Sequence, residues 1–109
     1  MPRILLLLVL LATGLVLAAP VSAAGDPAAG KIKGFTCTGC HGITGYKNIY
    51  PTYNVPRIGG QNSAYTIAAL KAYKDGTRKH GTMNLQAESL SDQDIEDIAS
   101  WLAGIGGAQ

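Results

Sequence analysis

Cys37 and Cys40 stand two residues apart, and His41 follows directly. Two thiols at this spacing with an imidazole next to them suit the covalent attachment of haem. A haem carries two vinyl groups, each of which can take one thiol as a thioether. One turn of chain presents both sulfurs to them. The next residue then falls under the iron, where an imidazole nitrogen binds as proximal ligand. The expected cofactor is one covalently bound haem c per chain.

Rival uses of the spacing fit less well. A structural zinc site needs a second ligand pair, and beyond the N-terminal apolar run the chain offers only His80 in addition. A thioredoxin-like redox site needs alternating strands and helices around it, and the sequence shows none. A disulfide across two residues would be strained.

The sixth iron position decides the function. An open position favours ligand binding or oxygen chemistry. A filled one favours electron transfer, because the iron then keeps its coordination in both oxidation states. Met83 is the only methionine apart from Met1, and it is the expected sixth ligand. Filling a gap in the core is the alternative role for a methionine. His80 is the second ligand candidate, although a histidine between Lys79 and Gly81 is expected to face solvent. A thioether ligand stabilises Fe(II), so His41/Met83 ligation implies a fairly high potential.

The 109 residues make one domain. A single positive charge at Arg3, an apolar run to Ala19 and then Val21-Ser22-Ala23 form a secretory signal. Residues 1–23 are expected to be cleaved before Ala24, with Ser22-Ala23-Ala24 fitting almost as well. The alternative is an uncleaved membrane tether, but the run is shorter than the ~20 residues that span a bilayer, and Pro20 ends it. No permanent membrane insertion is expected after cleavage. The expected location is the periplasm, where haem c is attached. Residues 24–109 form the haem domain, about 85 residues and a marginal size for one core. The haem would complete that core. Nine Lys and Arg against seven Asp and Glu give a net charge of +2, which points to neither nucleic acid nor an anionic membrane surface. Lys33, Lys47, Lys71, Lys74, Arg78 and Lys79 form either a docking surface for an acidic partner or a scattered solvated exterior.

The fold class expected is all-α, with three main helices and a long loop. Asp26 caps and Pro27 opens a first helix running through residues 27–37 into Cys37. Of its two glycines, Gly30 is the expected crossing point for another helix. Residues 42–61 show no sustained period and are read as a loop that lies on the haem. Its tyrosines either reach the propionates or simply cover core. A second helix spans residues 64–75, capped by Ser63 and ended by Gly76. Tyr65, Ala69, Ala72 and Tyr73 share its broad face, and Lys71 and Lys74 are solvated. Residues 77–89 read as irregular. Residues 90–94 open the last helix, where Ser91 and Asp94 have capping-box spacing. Ile95, Ile98, Ala99 and Leu102 form its apolar stripe beside Trp101, and Gly104 ends it.

These features resemble the class I cytochromes c, and within them the bacterial cytochrome c4 and c553-like group. The residues that carry the likeness are Asp26 to Gly30, Cys37-Thr38-Gly39-Cys40-His41-Gly42, Pro56-Arg57-Ile58-Gly59-Gly60-Gln61, Tyr65 to Arg78, Met83 and Leu90 to Ile95. The resemblance implies that the carbonyl of Pro56 accepts a hydrogen bond from His41. It also implies that the first and last helices cross near Gly30 with Trp101 in the contact. The group is known for paired domains, of which this chain would be one half. A second methionine often follows the ligand in that group, and Gln86 stands there instead. The function implied is one-electron transfer between redox partner proteins, without catalysis by the chain itself. The alternative is the haem subunit of a larger periplasmic oxidoreductase, such as a sulfide- or alcohol-oxidising complex.

Overall fold

The computed structural model describes residues 25–52 and 54–106, so the expected signal at 1–23 lies outside the described residues. Among these residues are α1 (Pro27–Lys33), a 3-10 turn (Phe35–Gly39), α2 (Ser63–Asp75), α3 (Gly81–Glu88) and α4 (Asp92–Ala103), with no strand. The expected all-α class holds, with a fourth helix where residues 77–89 read as irregular.

Asp26 starts α1 by accepting a hydrogen bond from the Ala28 N–H at 2.9 Å, and Pro27 follows it. The helix stops at Lys33, which corrects the expected run into Cys37. Gly34 leaves helical geometry, with φ −85° and ψ 11°. It is buried under the last helix, where a Cβ at Gly34 would lie 2.7 Å from Trp101 Cζ3. Past this contact the chain tightens into the 3-10 turn, with the Cys37 N–H donating to the Gly34 carbonyl at 3.0 Å.

The cap of α2 is Asn62 rather than Ser63: its Oδ1 accepts from the Tyr65 N–H at 3.0 Å. Gly76 ends the helix in the left-handed region at φ 82°, as expected. The broad face read from the sequence is not uniformly buried. Thr66 is buried and Leu70 packs on the core, whereas Tyr65 is 53% exposed. Arg78 holds Tyr65 at the surface. Its Nη1 donates to the Tyr65 hydroxyl at 3.4 Å, and its guanidinium lies 4.8 Å from the Tyr73 ring centre.

The last helix follows its sequence closely. Ser91 Oγ accepts from the Asp94 N–H at 3.1 Å, and Asp94 Oδ2 accepts from the Ser91 N–H at 2.9 Å, a complete capping box. Ile95, Ile98, Ala99, Trp101 and Leu102 are buried. Ile43, Ile98, Trp101 and Leu102 form the core, with Ile58, Leu70, Leu90 and Ile105 against it.

Where α1 crosses α4, Gly30 leaves no space: a Cβ there would overlap the carbonyl of Asp97. The crossing near Gly30, with Trp101 seated on the neighbouring Gly34, is as the resemblance implied. A polar clamp secures it. Asp97 is 3% exposed, and it accepts from the Asp26 N–H at 2.8 Å, Lys33 Nζ at 2.7 Å and Gln93 Nε2 at 2.9 Å. Lys33 Nζ also meets Asp94 Oδ1 at 2.7 Å.

Candidate functional site

The 3-10 turn carries Cys37 and delivers Cys40 and His41 just past its end. The Cys40 and His41 N–H groups both donate to the Cys37 carbonyl, at 3.3 and 3.2 Å. That closes a tight loop with both thiols on one short piece of backbone. Cys37 and Cys40 are half-buried free thiols, and burial pushes the Cys37 thiol pKa up.

His41 is buried, at 9% exposure. Its Nδ1 donates to the carbonyl oxygen of Pro56 at 2.6 Å. A carbonyl only accepts, so Nδ1 carries the proton, and the lone pair of a neutral ring belongs to Nε2. A carbonyl bonded to the distal nitrogen is the usual way that a metal-binding histidine is oriented.

Two loop contacts hold the surroundings of this histidine. The Gly42 N–H donates to Asn48 Oδ1 at 3.0 Å, and the Ile49 N–H donates to the Gly39 carbonyl at 2.8 Å. Further on, the Gly60 N–H donates to the Leu102 carbonyl at 2.8 Å, tying the segment after Pro56 to α4. Of the loop tyrosines, Tyr46 is 38% exposed and Tyr50 61% exposed, and Tyr53 lies outside the described residues.

Met83 sits in the first turn of α3, half-buried. His80 caps that helix: its Nδ1 accepts from the Met83 N–H at 3.3 Å. His80 is solvent exposed, as expected. Thr36 Oγ1 donates to Gln86 Oε1 at 2.9 Å, an exposed side-chain link between the 3-10 turn and α3. His41 and Met83 lie near each other. The cap at His80 and the bonds made by Asn84 escaped the sequence reading. Only Leu85, Gln86 and Ala87 are helix-compatible there, and no local pattern signals the cap or the bonds of Asn84.

The donor chemistry fits the group that the sequence implies. An imidazole with its lone pair on the outer nitrogen and a nearby thioether are neutral donors suited to haem iron, and two free thiols two residues apart suit its two vinyl groups.

A family model for cytochrome c matches residues 28–105. Over 81 residues the chain is 46% identical to cytochrome c-554(548) of Halomonas halodenitrificans, covering 72% of this chain and 94% of that protein. Over 98 residues it is 41% identical to cytochrome c4 of Pseudomonas aeruginosa, covering 90% of this chain but 45% of that one. A protein of Stutzerimonas stutzeri named thiosulfate dehydrogenase electron acceptor is 32% identical over 73 residues, 64% of this chain and 32% of that protein. The chain thus spans nearly the full length of the first relative and less than half that of the other two.

Proposed function

Because the chain belongs to the class I cytochromes c, in the cytochrome c4 group, we propose that Cys37 and Cys40 carry its haem and that His41 and Met83 ligate the iron. The chain is an electron carrier and not an enzyme, and its cofactor is covalent haem c. When bound, that haem supplies a one-electron Fe(III)/Fe(II) couple.

The observation that carries the residue assignment is the 2.6 Å bond from His41 Nδ1 to the Pro56 carbonyl. With Nδ1 so engaged, Nε2 would be the nitrogen that binds the iron in both oxidation states. The role of Pro56 is therefore to hold the proximal ligand through its backbone. Met83, carried on α3, would supply a thioether to the iron, so that the coordination would be the same in both oxidation states. No side chain here needs to move a proton. A redox titration of the purified protein, followed by absorbance, is expected to fit a single reversible one-electron step. A two-electron slope, or no reversible step, would contradict the reading.

Among the described residues no helix is long and apolar enough to cross a membrane. We read residues 1–23 as a cleaved secretory signal and place the domain from Ala24 onward in the periplasm. Mass analysis of the exported protein is expected to give an N-terminus at Ala24.

A second reading concerns the partner. The likeness to a thiosulfate dehydrogenase electron acceptor favours a sulfur-oxidising dehydrogenase as electron donor, with this chain as a shuttle or as a bound subunit. A free shuttle elutes alone on size exclusion, and a subunit co-purifies with a catalytic chain.

A further inference from the structure

Asn84 follows Met83 in the chain, and its side chain reaches three separate backbone groups. Its Nδ2 donates to the carbonyl oxygens of Tyr73 at 2.7 Å and Arg78 at 2.9 Å. Its Oδ1 accepts from the His80 N–H at 2.9 Å. These three groups belong to different pieces of structure. Tyr73 is in the last turn of α2, Arg78 is in the connecting turn, and His80 is the cap of α3.

An asparagine amide has two N–H donors, and both are used here on carbonyls. The Tyr73 carbonyl is one of those that a helix leaves unpaired at its C-terminus. Its neighbour, the Ala72 carbonyl, is taken by the Arg78 N–H at 3.0 Å. Asn84 thus completes the end of one helix with a side chain from the next.

We propose that Asn84 is the positioning residue for Met83: it locks the end of α2, the turn and the start of α3 into one unit, which sets where the Met83 sulfur lies. This rests on the ligation proposed above. The other fastenings of α3 do not replace it. The His80 cap spans only the helix's own first turn and is long at 3.3 Å. The Thr36–Gln86 bond is a single contact that reaches neither α2 nor the connecting turn.

Two substitutions dissect the lock. Asn84→Ala removes all three bonds. Asn84→Asp keeps the acceptor for the His80 N–H but sets a carboxylate against two carbonyl oxygens. Ser91→Ala, which removes the cap of α4, serves as a control that weakens the fold away from the iron.

The haem-loaded proteins are heated while two signals are followed. One is the near-infrared band of the ferric protein that reports sulfur–iron ligation. The other is the fluorescence of Trp101, the only tryptophan. In both Asn84 variants the ligation band is expected to disappear at a lower temperature than the Trp101 transition, and the reduction potential is expected to fall. In Ser91→Ala both transitions move down together and the potential stays at the wild-type value. If the Asn84 variants also move both transitions together at an unchanged potential, the positioning role is overturned. If Asn84→Ala does not accumulate, Asn84→Asp decides alone. A wild type lacking the band overturns Met83 ligation and the positioning role with it, a failure visible before any variant is made.

Discussion

Gly30 rests directly on the carbonyl of Asp97, with no space for a Cβ between the two backbones. Because the obstacle is backbone, a side chain at Gly30 forces α1 away from α4. Gly30→Ala is expected to destabilise the haem-loaded protein by about 1–3 kcal/mol, the usual range for overpacking. Gly81 meets nothing within 4 Å, and Gly81→Ala is expected to be neutral or to stabilise by up to about 1 kcal/mol. Denaturant unfolding read by Trp101 fluorescence distinguishes the two. Equal stability of the two variants would contradict the close crossing.

The same crossing shows what was legible in the sequence. Asp26, Pro27, Ser91 with Asp94, and the stripe from Ile95 to Leu102 act within one turn or one helix face, so pattern alone reveals them. The early end of α1 has a local signal, Gly34 after Lys31 and Lys33, but the seat that Gly34 gives Trp101 lies in no local pattern. The helix around Met83 was hidden for a similar reason. Gly81, Thr82 and Asn84 are poor helix formers, and histidine is an uncommon cap. What holds α3 is bonding to Tyr73 and Arg78, which no local pattern contains. The attachment residues were plain from spacing. The bond from His41 to Pro56 came from family resemblance and is present at 2.6 Å.

Lys33 sits between Asp94 and Asp97, 2.7 Å from each. The ammonium, then the Ser91 backbone, holds the Asp94 carboxyl down to about 2 from an ordinary 3.8. Lys33, the Asp26 N–H and Gln93 push Asp97 in the same direction. A carboxyl with a lower pKa in the folded state contributes stability above its unfolded value and loses it as pH falls through the folded one. Lys33 is shifted up, chiefly by Asp94 and then Asp97, so its contribution is present below 10.5 and fades at higher pH. The stability advantage of wild type over Asp94→Asn is expected to be level at neutral pH and to shrink between pH 3.8 and about 2. Denaturant midpoints across that range provide the measurement. A difference that stays constant down to pH 2 would rule the clamp out as the source.

Cys37 and Cys40 each hold the cofactor by one bond in this reading. Cys37→Ala and Cys40→Ala are each expected to weaken haem staining on a denaturing gel, and the double substitution to abolish it. Staining that survives the double change would place the attachment elsewhere.

The ligation of the iron by His41 and Met83 is tested most directly by the ferric near-infrared band that reports a thioether on the iron. The wild-type protein is expected to show it and to bind carbon monoxide poorly, and Met83→Ala to lose the band and bind carbon monoxide readily. A wild type that lacks the band and takes up carbon monoxide freely would contradict the assignment.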